Sequence, residues 1–432
     1  MNEWKNIQLH DLISFSIPGE WGGNPKADND PFVIRAADFT KDCKLRKEVG
    51  VRRRIPSVKL NNRVLKNNDL LIEKSGGSPD QPVGRVVLFD IENEHQVYTF
   101  SNFLQLLRTQ ADYDSKYIYY LFYFNYFEGN VTRYQQQTTG IYNLKLDDYL
   151  SERVTIPSNK SHQKKIATIL STIDRAIENT EALIEKYQQI KTGLMHDLFT
   201  RGIGENGKLR PARSEVPELY KKTEIGWIPK DWEVCALNQM VSFIRSGLSR
   251  LLSEDDIGIP VIISGNIQDF EMDYSHLRYW YRLDPQGANV EDYILKEEDI
   301  LLCFINSLDQ IGKVALFKGF ARPCIYTTNL FRIRASFNVT PTFLYFLLAT
   351  PFIQKELKLI SKPAVNQASF TTKDFLKIKV PHINPSEQLK ICKMLLSISD
   401  YITKENSALS KLQMQKNGLM HDLLTGKVEV SV

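Results

Sequence analysis

The sequence predicts an α+β chain built as an internal pseudo-two-fold repeat. Two similar globular parts of mixed α/β structure are each followed by a long helix, and the two helices pair antiparallel as a coiled coil. Three observations predict this. Gly193-Leu194-Met195-His196-Asp197-Leu198 returns unchanged as Gly418-Leu419-Met420-His421-Asp422-Leu423, 225 residues later. Ahead of and through each copy, apolar residues step by four and three: Ile166, Leu170, Ile173, Ile177, Ile184, Tyr187, Leu194 and Leu198, then Ile391, Leu395, Ile398, Ile402, Leu409, Leu412, Leu419 and Leu423. The similarity also extends into the segments that precede the helices, the mark of a tandem repeat.

The alternation of four and three is the seam of a coiled coil. Thr180 and Glu405 interrupt it at one matched position. Two matched seams in one chain most simply bury each other, giving a helix pair of about 39 residues, or about 58 Å at 1.5 Å per residue. The first helix ends where the second globular part begins, so paired helices run antiparallel. At the second helix Asn384 is placed to cap, Pro385 suits the first turn and Glu387 would complete a capping box; Lys160-Ser161-His162-Gln163 opens the first with weaker signals.

In chain order, Glu3-Trp4 with Leu9 recurs as Asp231-Trp232 with Leu237, and Pro31-Phe32-Val33-Ile34 as Pro260-Val261-Ile262-Ile263. The run Leu65 to Ile72 answers Leu295 to Leu302, and Gly84-Arg85-Val86-Val87-Leu88-Phe89 answers Gly312-Lys313-Val314-Ala315-Leu316-Phe317. Short β-rich runs near Val33, Leu70 to Ile72, Val86 to Leu88 and Leu104 to Leu107, punctuated by Gly, Pro and Asn, read as strands. The aromatic stretch Ser115 to Phe127, with its counterpart Pro341 to Ala349, reads as a helix packed on the sheet. Arg201 to Gly226, rich in Gly, Pro and charge without periodicity, reads as an exposed linker. The expected division is therefore a globular domain over 1–157, a helix over 158–200, a linker over 201–225, a second globular domain over 226–381, a helix over 382–425 and a tail over 426–432.

Composition excludes several classes. With 432 residues, 42% hydrophobic and 25% charged, the chain has the make-up of a soluble protein of two or three domains. A formal charge of +4 makes no global demand for nucleic acid, so any such affinity must come from local patches. Met1-Asn2-Glu3-Trp4-Lys5-Asn6 does not resemble a secretory signal, and the apolar runs Tyr117 to Phe124 and Phe343 to Ala349 are too short to span a membrane. Cys43, Cys235, Cys303, Cys324 and Cys392 include no Cys-x-x-Cys pair and fit reduced structural thiols in a cytoplasmic protein.

Enzymatic motifs fail on inspection. Gly202-Ile203-Gly204-Glu205-Asn206-Gly207-Lys208 matches Gly-x4-Gly-Lys, but Leu209 replaces the Ser or Thr that holds magnesium, and a helix rather than a strand precedes it. His196-Asp197 and His421-Asp422 have no third metal ligand recurring nearby, and a protonated His suits a helix C-terminus. No catalytic residue and no metal site are expected. Basic residues are more informative: Lys44, Arg46, Lys47, Arg52, Arg53, Arg54, Lys59 and Arg63 cluster against only Asp42 and Glu48, a set able to neutralise several phosphates. Gln and Asn can pair with adenine edges and Arg with guanine, so polar loops around Arg133 to Gln137 with Asn143, and Lys362 with Asn366-Gln367, are candidate base readers. The candidate DNA contacts are Arg35, Arg52, Arg53, Arg54, Lys74, Ser75, Arg85, Arg133, Gln137 and Asn143 in the first part, and Arg278, Asn306, Lys313, Lys362, Asn366 and Gln367 in the second.

Two differing globular parts, each followed by a repeated long helix, resemble the specificity (S) subunit of type I restriction-modification systems. Glu224-Ile225-Gly226-Trp227-Ile228-Pro229-Lys230-Asp231-Trp232 entering the second part, Pro385-Ser386-Glu387-Gln388 opening the second helix, and Gly-Leu-Met-His-Asp-Leu closing both carry the resemblance, which covers essentially the whole chain. Ser161-His162-Gln163 stands where the family usually shows Glu-Gln, and the N-terminus lacks the Gly-x-x-Pro approach to its tryptophan. The resemblance implies two target-recognition domains, each reading one half of an asymmetric bipartite site in double-stranded DNA. The helix pair would act as spacer and as docking surface for two modification (methyltransferase) subunits, with restriction (motor-nuclease) subunits joining for cleavage. It implies no cofactor on this chain, with S-adenosylmethionine, ATP and magnesium on the partner subunits. Three alternatives stay open: a specificity subunit of a related combined methylation and cleavage system, a self-sufficient methyltransferase or endonuclease, and a non-catalytic coiled-coil adaptor.

Overall fold

The structure, a computed structural model, describes residues 3–78, 81–91, 96–138, 140–365 and 367–431. Its contacts divide the chain into one unit of Met1–Ala182 with Asn406–Val432 and another of Leu183–Glu405, so each unit takes part of both long helices.

In the first unit a four-stranded antiparallel sheet has the order Ile13–Pro18, Leu104–Thr109, Asp69–Glu73, Val86–Phe89. The edge strand Ile13–Pro18 alternates half-buried and exposed side chains, whereas every residue of the central strand Asp69–Glu73 is buried. That central strand is covered on both faces, which is why its middle reads as an unbroken apolar run. On one face lies the helix Ser115–Phe127, started by Asp114 accepting from the Tyr117 N–H at 2.9 Å and buried through Tyr117 to Asn125. Its aromatics fill the core, as their spacing predicts. Two three-stranded sheets complete the part, ordered Val51–Arg52, Phe32–Ile34, Tyr98–Phe100 and Gln135–Thr138, Ile141–Leu144, Ser75–Gly77, while Trp4–Gln8 pairs with Arg153–Pro157.

The second unit repeats these sheets and adds two hairpins, Tyr220–Thr223 with Gly226–Pro229 and Ile267–Gln268 with Glu271–Met272. Its four-stranded sheet runs Val241–Ser246, Leu330–Ala335, Ile300–Cys303, Val314–Leu316. Its three-stranded sheets run Arg278–Trp280, Ile259–Ile262, Ile325–Tyr326 and Lys362–Pro363, Ala368–Ser369, Ile305–Asn306, and Glu233–Ala236 pairs with Lys379–His382. A parallel strand pairing recurs too, Phe32–Ile34 with Tyr98–Phe100 and Ile259–Ile262 with Ile325–Tyr326.

The long helices span Lys160–Thr200 and Pro385–Leu424. Within the first unit Ile166 and Leu170 share a core with Met420 and Leu423, while Asp174 meets Lys416 at 2.8 Å. Within the second, Met195 and Leu198 share a core with Ile391 and Leu395, and Tyr187 stacks on Tyr401 at 5.8 Å. In each unit, ascending numbers on one helix meet descending numbers on the other, so the pair is antiparallel. Along the seam Ile166, Leu170, Ile173, Ile177, Ile184, Ile391 and Leu395 are buried, and Leu194, Ile398, Ile402, Leu409 and Leu419 are half-buried. The repeated Gly-Leu-Met-His-Asp-Leu is a helix end whose Met and second Leu turn into the core.

Each helix is latched to its globular part by one buried glutamine. Gln163 donates to the Pro157 carbonyl at 2.9 Å and accepts from the Asp114 N–H at 3.0 Å. Gln388, 225 residues on, donates to the Ile383 carbonyl at 2.8 Å and accepts from the Thr340 N–H at 2.9 Å. Asp114 and Thr340 are the N-cap residues of the two aromatic helices, so the latch ties helix start to helix start. A tryptophan locks each unit as well: a Cβ on Gly202 would lie 2.3 Å from the Trp232 ring, and one on Gly426 would lie 2.9 Å from Trp4. Both glycines have positive φ, as the turn past a helix end requires.

Two expectations need correction. Asn384 does cap the second helix, accepting from the Glu387 N–H at 2.9 Å, but Glu387 completes no capping box. Its buried carboxylate instead accepts from the Ile203 N–H at 2.7 Å, the Trp232 indole N–H at 3.1 Å and the Arg210 guanidinium at 2.5 Å. The supposed exposed linker is likewise folded in part. Ile203 is 3% exposed and Gly202–Arg210 forms a tight turn, closed by Gly204 N–H to the Lys208 carbonyl at 2.8 Å, that delivers Arg210 to Glu387. The Gly-rich stretch is that turn rather than a phosphate loop.

Candidate nucleic-acid interface

The first unit brings the candidate residues together in two places. One is the small sheet Gln135–Thr138, Ile141–Leu144, Ser75–Gly77, whose register sets Gln136 opposite Asn143 and Asn143 opposite Ser75. Gln137 is exposed on its outer strand, the Ser75 hydroxyl bonds the Asn143 side chain, and Lys74 precedes the third strand with its ammonium 3.5 Å from Gln105. Partial burial pulls the Lys74 ammonium below its ordinary range. Arg133, just before the sheet, is exposed and paired with Glu152.

The second place gathers Arg35, Arg52, Arg53 and Arg54. Arg52 lies over the Phe32 ring at 4.5 Å and donates to the Asp28 and Asp30 carbonyls. Arg53 lies over the Trp21 indole at 4.3 Å and donates to Asn24 at 3.2 Å. Ring faces, an amide and backbone carbonyls hold them, with no carboxylate ion pair to either among the described residues, and the Asp30 carboxylate, which feels Arg52 and Arg54, is taken up by the Lys26 and Ala27 N–H groups. Arg54 is exposed, and its backbone pairs with Gly23, joining the arginine segment to the loop that carries Trp21. Arg35 is spoken for by Asp38, which it grips at 2.7 and 3.2 Å.

Arg85 does not belong to either surface. It is 3% exposed, donates twice to Glu73 at 2.9 Å and also to the Phe39 and Ala36 carbonyls, and is a core ion pair. An arginine beside a β-run carries no sequence mark of whether it turns in or out. Its repeat counterpart Lys313 is half-buried and reaches Gln268 at 3.4 Å.

In the second unit the equivalent small sheet carries Asn306 opposite Ala368 and Lys362 opposite Ser369, with Gln367 just before the middle strand. Lys362 and Gln367 are exposed, whereas the Asn306 amide is turned to the Cys303 sulfur at 3.6 Å. Asn366 lies outside the described residues. Arg278 is apart from this sheet and paired with Glu254.

Reading the sequence missed Trp21 and Phe103, which are 36% and 44% exposed, and the buried Ser101 beside them. The signal was faint: one tryptophan inside Gly19-Glu20-Trp21-Gly22-Gly23-Asn24-Pro25. Among the described residues no group of His, Cys, Asp and Glu is placed to hold a metal ion, and no helix is long and apolar enough to cross a membrane. All five cysteines are buried and unpaired, with burial raising the Cys43 and Cys392 thiols to about 12.

A family model described as the type I restriction modification DNA specificity domain matches the chain twice, over residues 1–189 and 229–413. The type I restriction enzyme MjaX specificity subunit of Methanocaldococcus jannaschii is 36% identical over 210 residues, 48% of this chain and 49% of that protein. The MjaVIII specificity subunit of the same organism is 30% identical over 328 residues, 72% of this chain and 70% of that protein. The chain thus spans about half the length of the first relative and more than two thirds of the second. A solved type I restriction-modification S subunit from M. genitalium shares the fold, with a TM-score of 0.59 at 15% identity over 99% of this chain and 97% of that one. With the duplicated strand order, the duplicated helix latch and a family match that falls once on each copy, the chain belongs to the type I restriction modification DNA specificity domain family.

Proposed function

We propose that the chain is the non-catalytic specificity subunit of a type I restriction-modification complex, reading an asymmetric bipartite site in double-stranded DNA with one globular domain per half-site. The observation that carries this is one scaffold used twice with different polar residues. In and beside the equivalent small sheet the first domain offers Ser75, Gln137 and Asn143, and the second Asn306, Lys362 and Gln367. Equal scaffolds with unequal reading groups suit two unequal half-sites, while phosphate contacts from Arg52, Arg53 and Arg54 supply register and affinity. The proposed domains are 1–157 and 226–381, the helices the spacer between half-sites. S-adenosylmethionine, ATP and magnesium then act on the modification and restriction subunits. A related combined methylation and cleavage system would use this chain in the same way.

The test is duplex binding by the purified chain against salt, together with sequencing of methylated sites when modification subunits are present. Arg52→Ala, Arg53→Ala and Arg54→Ala combined are expected to lower the log–log salt slope by up to about 3, at about 0.9 for each phosphate no longer neutralised. An unchanged slope would remove these arginines from the interface, and no salt dependence in the parent would favour an adaptor. An unaided chain that methylates or cuts DNA would favour the enzyme reading.

Docking of the modification subunits is proposed on the second helix, where Leu389 and Leu396 are 59% and 38% exposed. Leu389→Asp with Leu396→Asp is expected to weaken capture of that subunit at least tenfold, about 1.4 kcal/mol, in a titration by calorimetry, with duplex affinity unchanged.

A further inference from the structure

We propose that the first domain holds a pocket for a single nucleobase turned out of the DNA stack, an assignment that rests on the DNA-binding reading above. The pocket is a cavity of about 400 Å³ lined by Trp21, Arg35, Ala36, Ser101, Asn102 and Phe103, within the range of small-ligand sites.

Three features point to such an occupant. The first is a wall of aromatic surface partly open to solvent, since the Trp21 and Phe103 side chains are both among the exposed large apolar residues of the first unit. Flat rings of this kind are the platforms on which unstacked bases settle, whatever their sequence. The second is an unmet hydrogen bond. Ser101 is 4% exposed and its Oγ has no partner, while its own N–H is satisfied by the Ile34 carbonyl at 2.8 Å. A buried hydroxyl left unpaired is costly, and a base edge brings both donors and acceptors. The third is charge: Arg53 lies over the Trp21 ring at 4.3 Å and the Arg54 strand is bonded to the same loop, so a phosphate attached to the base would meet cations.

The pocket is built rather than incidental. A Cβ on Gly19 would lie 2.1 Å from the Ser101 carbonyl, so only glycine lets the Trp21 loop press against the Ser101 segment. Phe103 also joins the pocket to the polar sheet, since its carbonyl accepts from the Lys74 N–H at 2.9 Å and a Cβ on Gly76 would lie 3.6 Å from its ring. The second domain keeps the close approach, with Gly247 against Thr327, but has Ser249 and Asn329 where the first has Trp21 and Phe103. The pocket therefore belongs to one half-site only.

The experiment uses the full chain and duplexes bearing its methylated site, with each thymine of the site replaced in turn by 5-iodouracil. Irradiation is expected to cross-link one position to Trp21 or Phe103, located by mass spectrometry. Trp21→Ala should abolish that cross-link and weaken duplex binding about tenfold, Trp21→Phe should restore binding, and thermal stability should not move. Normal salt-sensitive binding with no cross-link at either ring, and with Trp21→Ala unchanged, would overturn the pocket and leave the DNA-binding reading standing. Loss of stability in Trp21→Ala with binding intact would mark the ring as structural and also overturn it. A parent chain with no salt-sensitive duplex binding would bring down both readings.

Discussion

Glu387→Ala is expected to lower the unfolding free energy of the second unit by about 3–5 kcal/mol, the usual result of removing one partner of a buried ion pair. The carboxylate is only 4% exposed in its ion pair, and the Arg210 side chain facing it is 12% exposed. Its removal strands the Ile203 N–H and the Trp232 indole N–H and leaves the Arg210 guanidinium only the more exposed Asp231 carboxylate, at 2.6 Å, as counter-ion. Trp232 is fully buried, so no water readily replaces the lost acceptor. Glu387→Gln keeps an acceptor of the same shape and should recover part of the loss, whereas His162→Ala, at the matched position of the first helix, should cost little because His162 has no such cluster around it. Denaturant unfolding of the three variants checks this, and a Glu387→Ala protein as stable as its parent would show that Arg210 and Trp232 find other partners.

Glu387 also shows where sequence reading stops. Periodicity exposed the helices and their seam, because a repeated apolar stripe can be buried in few ways, and connectivity gave their direction. The duplication was visible since matched strands keep matched apolar runs. Hidden were the partners of polar residues. Three residues after Asn384, Glu387 has the spacing of a capping box, and nothing local says that Arg210 folds back to claim it. Arg85 and Arg53 look alike in a basic chain, yet one is sealed against Glu73 and the other rides on Trp21. Gln163 and Gln388 were in plain view at equal spacing, but a glutamine latch has no composition signal. The small sheet that gathers Ser75, Gln137 and Asn143 depends on pairing residues more than sixty positions apart.

A chimera carrying residues 226–381 in place of 1–157 is expected to lose about 1–3 kcal/mol, the cost of leaving a buried polar group without its hydrogen-bond donor, unless two helix residues are changed with it. In the first unit Asp174 is buried, accepts from the Tyr120 hydroxyl at 2.6 Å, and meets Lys416 at 2.8 Å and Lys44 at 3.7 Å, while Lys44 also meets Glu178 at 2.8 Å. Two cations thus balance two carboxylates. The second unit solves the same site with other charges. Tyr345 donates to the Phe270 carbonyl as Tyr119 does to that of Cys43, and both acceptor residues are left-handed, with φ of 65° and 60°; the residue after each is Glu271 and Lys44. On the helices Asp174 and Glu178 correspond, 225 residues on, to Ser399 and Thr403, and Lys416 to Lys191, which feels Glu271 electrostatically. Grafting the second domain onto the first helix start would therefore bring Glu271, with its partner Lys318 at 3.4 Å, beside Asp174 and Glu178, setting three carboxylates against Lys416 and Lys318. Gln163 can latch Thr340 as Gln388 does, so the geometry permits docking and the charge opposes it. Asp174→Ser with Glu178→Thr should restore the balance and recover most of the stability in thermal unfolding. A chimera as stable without those two changes would mean that the domains dock without regard to charge, and that exchange between the two positions is limited by DNA reading alone.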